Sequence, residues 1–112
     1  MNNYYLILDN DPGNGTTIKI DLLNTKKAAL ILRALNHKLR QQMLKLIDEN
    51  KKMTVTQLYL KLRLEQSVAS QHLAILRKAA LVKTVRNGKF IYYSINAERL
   101  ESLNEFAKNL LN

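Results

Sequence analysis

The stretch TVTQLYLKLRLEQSVASQHLAILRKAALV, residues 54–82, decides the fold. Thr54 is a hydroxyl residue standing just ahead of an apolar periodicity, the position of a helix N-cap. Behind it Val55, Leu58 and Leu62 fall at i, i+3 and i+7, one face of a short helix. Arg63-Leu64-Glu65-Gln66 reads as a turn without glycine. Ser67 or Glu65 then caps a second helix that reaches about Ala80, with an inner stripe of Ala69, Leu73, Leu76 and Ala80. A second stripe, Val68, His72, Ile75 and Ala79, runs beside it. Two short helices joined by a tight turn, the second strongly one-sided, make a helix-turn-helix.

Downstream, Leu81–Arg86 and Lys89–Ser94 are β-prone runs flanking Asn87-Gly88. That pattern predicts a two-residue type I′ hairpin. A loop centred on Asn87-Gly88 pairs Arg86 with Lys89, Thr84 with Ile91 and Val82 with Tyr93, the last two pairs facing the core. Arg86 opposite Lys89 is a like-charge pair, unfavourable unless a phosphate lies between them or water screens it.

Upstream, Thr25 caps a helix over about 26–35 that is apolar around most of its surface. Such a helix is buried centrally or shared with a partner chain. The next spans about Lys38 to Glu49, with Leu39, Met43, Leu46 and Ile47 on one face and Lys38, Arg40, Gln41, Gln42 and Lys45 off it. The last helix starts near Ala97. There Leu100, Leu103, Ala107 and Leu110 are spaced 3, 4, 3 with Phe106 alongside, a heptad-like seam suited to a subunit contact. At the other end, Tyr4–Leu8 and Thr16–Ile20 are β-prone around the turn cluster 9–15, which predicts an N-terminal hairpin or arm.

The expected architecture is therefore mainly α with a small β-hairpin wing: a winged helix-turn-helix of five helices, plus an N-terminal hairpin. Its parts are an arm at 1–24, a DNA-binding region at 25–96 and a dimerisation helix at 97–112, all within one compact domain. One hundred and twelve residues leave no room for a second core.

Charge points to a polyanion. The chain carries 18 Lys and Arg against 9 Asp and Glu, and residues 26–94 alone hold a net of +12 while both ends are slightly acidic. This places the polyanion-facing surface in the middle of the chain. The chain has no cysteine, which excludes disulfides, thiolate metal sites and a cysteine nucleophile. Neither a signal peptide nor an apolar run of membrane-spanning length is visible, so the expected location is the cytoplasm.

Residues 64–82 carry a family likeness. Ser67, Ser70, Gln71, His72-Leu73, Leu76-Arg77, Ala79 and Leu81-Val82 resemble the helix-turn-helix of ArsR-type bacterial transcriptional regulators. Ala34-Leu35 with Arg40 is similar to that family's entry to its second helix, and Arg86-Asn87-Gly88-Lys89 with Tyr92-Tyr93 resembles its wing. The likeness covers about residues 28–95. It departs at Arg63 and Ala80, where the family usually has glycine, and at the N-terminal hairpin, which is not a standard family part. The resemblance implies a DNA-binding repressor released by a signal. The family's metal-sensing members use cysteines, or clusters with histidine in the last helix. The residues needed for either are missing here, so neither a metal nor another cofactor is expected.

In a winged helix the second motif helix enters the major groove with its first residues on the base edges. Gln66, Ser67, Ser70 and Gln71 hold the outward positions there. All four are uncharged, so they specify sequence and add little general affinity. Affinity then comes from Lys38, Arg40, Lys61, Arg77, Lys78, Arg86 and Lys89 on phosphates. Arg40 has a rival role as an intramolecular ion-pair partner. A homodimer seam is expected from Leu30, Leu100, Leu103, Phe106, Ala107 and Leu110, with half-sites in an inverted repeat. His72 reads as a structural histidine bonded within the fold, and His37 as a capping or solvated residue at a helix junction.

Three other classes compete. An enzyme lacks support: there is no P-loop, dinucleotide glycine motif or nucleophile-base arrangement. A membrane-surface binder would need a lysine-rich helix face beside bulky aromatics. A winged helix used for protein or RNA contacts is the nearest alternative, and the basic centre argues against a purely protein-contact role.

Overall fold

A computed structural model describes residues 4–11 and 13–112. The elements follow in the order β1 (Tyr5–Asp11), β2 (Thr16–Asp21), α1 (Leu22–Leu35), α2 (Lys38–Asn50), α3 (Val55–Leu62), α4 (Gln66–Lys78), β3 (Val82–Asn87), β4 (Phe90–Ile95) and α5 (Ala97–Leu111). The chain divides into two compact units, Met1–Ile31 and Leu32–Asn112, with the boundary inside α1 rather than ahead of it.

The first unit holds the expected N-terminal hairpin. β1 and β2 pair antiparallel, with a bulge between Asp9 and Asp11. Leu6 lies opposite Ile20 and Leu8 opposite Ile18, so one face carries four aliphatic side chains. The other face carries Tyr5, Ile7 and Lys19, whose ammonium sits 4.2 Å from the Tyr5 ring centre. Pro12, part of the expected turn, lies outside the described residues. Helix α1 starts at Leu22, not at Lys26. Asp21, rather than Thr25, performs the capping: its Oδ1 accepts from the Asn24 N–H, while Thr25 is already inside the helix and donates to the Asp21 carbonyl.

The second unit is built around Met43, Ile47, Leu58, Leu73, Leu76 and Leu81, all fully buried. Helix α2 turns Arg40, Met43, Leu44 and Ile47 inward, at i, i+3, i+4 and i+7. The sequence reading centred this face on Leu39, Met43, Leu46 and Ile47. Leu39 and Leu46 are only half-buried, and the stripe includes an arginine that hydropathy alone places outside.

Helix α3 begins with the expected cap. The Thr54 hydroxyl accepts from the Gln57 N–H at 3.1 Å, and the Gln57 side chain accepts from the Thr54 N–H at 2.9 Å. This reciprocal capping box stabilises the helix by about 1 kcal/mol. It ends with Arg63 in the left-handed region, φ 56°. The Leu64 N–H donates to the Tyr59 carbonyl and the Arg63 N–H to that of Leu60, the paired bonds of a Schellman motif. Helix α4 ends the same way. Leu81 donates to Leu76 and Ala80 to Arg77, with Ala80 at φ 59°. Ala80 is therefore the left-handed residue past the helix rather than the last residue of its inner stripe. At the other end Glu65 is the N-cap and makes no side-chain cap bond, so neither expected side chain caps α4.

The wing forms, but in a different register. Val82 pairs with Ile95, Thr84 with Tyr93, Arg86 with Ile91 and Asn87 with Phe90. The two-residue loop is Gly88-Lys89, with Gly88 at φ 65°. A type I′ turn needs positive φ at both central residues, whereas glycine at the first position alone suits type II′. The shift moves every partner by two residues, so the alternation is kept: Val82 is buried and Thr84 and Tyr93 are half-buried, whereas Ile91, expected to face the core, is 43% exposed near the wing tip. The like-charge pair does not form, because Arg86 faces Ile91. Met53 adds a bridge to the outer side of β4, exchanging backbone bonds of 3.0 and 2.7 Å with Tyr93.

Candidate nucleic-acid interface

Helix α4 is split lengthwise. Ala69, Leu73 and Leu76 are buried, while Gln66, Ser67, Ser70, Gln71, Ala74, Arg77 and Lys78 are exposed. The exposed set recurs at three- and four-residue steps and so forms one continuous outer face. Its N-terminal half is uncharged and rich in hydrogen-bonding groups; its C-terminal half is cationic. Ser70, Ala74, Arg77 and Lys78 also line an open groove of about 410 Å³, closed by Val55 of α3 and Tyr93 of β4. Three of the sequence-selected residues thus meet in one depression.

The other selected cations are dispersed. Lys38, Arg86 and Lys89 are exposed, Lys89 in the wing-tip turn and Arg86 on β3 just before it. Lys61 belongs to a second groove, shared with Asn50, Lys52, Met53, Gln57 and Leu60. Lys52, which the sequence reading passed over, stands there and also sits 4.8 Å from the Tyr92 ring centre. Ala74, Val55 and Tyr93 were passed over as well. Ala74 could have been found from its spacing to Ser70 and Gln71; Val55 and Tyr93 come from distant segments and carry no local signal.

Arg40 leaves the phosphate-binding set. It is 7% exposed, and each nitrogen of its guanidinium has a partner within the fold: Nε donates to the Ala34 carbonyl at 2.7 Å and Nη2 to that of Arg33 at 3.0 Å. Nη1 lies 3.1 Å from His72 Nδ1. The rival ion-pair reading also gives way, since these partners are carbonyls and an imidazole. A buried guanidinium with five donors is tolerated where such acceptors gather. The His37 ring lies against that of His72, with centres 4.9 Å apart. His37 is the N-cap residue of α2, yet its side chain makes no cap bond. Burial is the main cause that lowers the His72 pKa below its ordinary value of 6.5, followed by the charges of His37 and Arg40.

Helix α5 starts at the Asn96 cap, whose side chain accepts from the Arg99 N–H. Leu103 is 8% exposed and belongs to the protomer's own core, so its side chain is not free for a partner. Phe106 and Leu110 are exposed, at 46% and 68%, while Leu100 and Ala107 are half-buried. Leu30, in the first unit, is exposed. Among the described residues no cluster of three metal-ligating side chains occurs.

Residues 37–84, which span the motif from the start of α2 to the wing, match the family model described as bacterial regulatory protein, arsR family. The chain is 32% identical over 87 residues to the transcriptional activator HlyU of Vibrio cholerae, covering 78% of this chain and 80% of that protein. The chain belongs to the ArsR family. It is also 35% identical over 85 residues to the transcriptional repressor PagR of Bacillus anthracis, covering 76% of this chain and 85% of the repressor. The PagR crystal structure superposes with a TM-score of 0.62, covering 80% of this chain and 98% of that one. An ArsR-like regulator from Rhodococcus sp. RHA1 shares the fold at a TM-score of 0.69 and 20% identity, covering 78% of this chain and 81% of that one. The five helices with a small hairpin wing are thus an ArsR winged helix-turn-helix, and the chain is a transcriptional regulator rather than an enzyme. Among the described residues no helix is long and apolar enough to cross a membrane.

Proposed function

We propose that this ArsR-family chain binds double-stranded DNA sequence-specifically, as a homodimer on an inverted repeat. The observation that carries the reading is the outer face of α4. Gln66, Ser67, Ser70 and Gln71 are exposed together and uncharged, while Arg77 and Lys78 follow on the same face. A glutamine can pair bidentately with adenine and serine hydroxyls suit bases or phosphates. Charge for phosphate contacts is supplied around them by Lys38, Lys61, Arg77, Lys78, Arg86 and Lys89.

The dimer seam is assigned to α5 through Leu100, Phe106, Ala107 and Leu110, with Leu30 as a further exposed apolar residue. Two protomers related by a twofold would read half-sites about 34 Å apart, or ~10 bp. We assign it repression, on its likeness to the repressor PagR. PagR is named a repressor and HlyU an activator, so similar proteins act with either sign. Selection from a random duplex pool at about 0.15 M salt tests this. An inverted repeat with that spacing supports it. A pool that returns no motif, with binding that depends on salt alone, would move the reading to a winged helix used for protein or RNA contacts.

A further inference from the structure

Arg40 joins three parts of the second unit. Its own backbone lies in α2, its Nε and Nη2 hold the Ala34 and Arg33 carbonyls at the end of α1, and its Nη1 faces His72 on α4. A guanidinium has donors only, so His72 Nδ1 must be the acceptor. The imidazole then keeps its proton on Nε2 and is neutral. If Nδ1 took up a proton, two donors would face each other at 3.1 Å, and a second cation would stand against a buried one.

We infer that His72 is a positioning residue for DNA reading: its neutral ring ties α4 to Arg40 and the end of α1, and protonation at Nδ1 releases that tie. The inference rests on α4 being the reading helix. His72 lies one residue from Gln71 and two from Ser70, so a shift of its anchor displaces base-contacting positions. A displacement of about 1 Å is enough to spoil bidentate pairing.

The surroundings favour the neutral ring. The groups that bear on it electrostatically are His37, at the junction of α1 and α2, and Arg40 of α2; α3, β3 and the rest of α4 contribute none among the described residues. Both oppose a charge on His72, and burial opposes it further. The His37 ring lies 4.9 Å away. The cluster is therefore stable with one positive charge and strained with two.

The test follows the full chain's affinity for its selected duplex from about pH 7.5 to 5, through the ordinary histidine range and below it, beside His72→Asn, whose Oδ1 can accept from Arg40 without titrating. His72→Gln is the second acceptor variant, should the first fold poorly by circular dichroism. The wild type should lose affinity on acidification, by up to about tenfold per pH unit for one coupled proton. The variants, whatever their affinity at the start, should vary less than about twofold over the range. In the free protein, the His72 ring resonances and the amide resonances of Gln66–Lys78 should move together. Equal pH profiles for wild type and variants would overturn the inference. So would affinity that rises on acidification, as added positive charge alone would give, or α4 amides that stay still while His72 titrates. Failure of the wild type to bind any duplex sinks the DNA reading instead, and the resonance titration still decides the role of His72.

Discussion

Ala79 and Ala80 are neighbours of the same residue type, and changing each to glycine should move stability in opposite directions. Ala80 sits at φ 59°, where an L side chain crowds its own backbone at about 1–2 kcal/mol. Glycine removes that strain. It also gains freedom in the unfolded chain, which costs about 0.4–1 kcal/mol, and it loses the contacts of a half-buried methyl, a few tenths more. The net for Ala80→Gly is a stabilisation of about 0.5 kcal/mol. Ala79 has ordinary right-handed backbone and is buried, so it has no strain to lose. Ala79→Gly should destabilise by about 1.5 kcal/mol, from the same entropy plus one fully buried methyl. Urea unfolding of both variants gives the gap directly, about 2 kcal/mol. If Ala80→Gly is destabilising by as much as Ala79→Gly, the Schellman end of α4 is not what limits this position.

Other perturbations have equally definite outcomes. Thr54→Ala removes the capping box and should cost about 1 kcal/mol in urea unfolding, with core packing unchanged. Arg40→Met strands the Arg33 and Ala34 carbonyls and should cost about 2–4 kcal/mol; a loss under about 0.5 kcal/mol would mean the guanidinium holds nothing together. Because folding lowers the His72 pKa, the unfolded chain takes up that proton first. The stability tied to this neutral ring is present above the ordinary 6.5 and is lost as pH falls through the folded value, a slope that His72→Asn should flatten in unfolding curves taken across the acid range.

The helix-turn-helix was legible because its information is local. Thr54 and Gln57 are three residues apart, and the periodicity of α4 spans one helix. The outward set Gln66, Ser67, Ser70 and Gln71 followed from that period alone. Arg40 was not legible as a buried residue, since its acceptors come from the end of α1 and from a histidine 32 residues away. Hydropathy ranks arginine as a surface residue until such acceptors are known. The wing register failed for a different reason. Asn87-Gly88 is a strong type I′ signal, but the same glycine also suits the first central position of a type II′ turn, and the loop forms at Gly88-Lys89 with Val82 opposite Ile95. Leu103 fits a heptad seam by spacing, yet the same spacing serves a helix packed on its own core.

The central claim is that α4 reads bases while the surrounding cations grip phosphates. Fluorescence anisotropy on a selected duplex and a scrambled one, with Gln71→Ala and Arg86→Ala compared across a salt series, tests it most directly. Gln71→Ala should shrink the preference for the selected duplex by about 1–3 kcal/mol and leave the salt slope alone. Arg86→Ala should weaken both duplexes equally and reduce the salt slope by about one. If Gln71→Ala leaves the preference intact, or lowers affinity for both duplexes alike, α4 is not the element that reads the sequence.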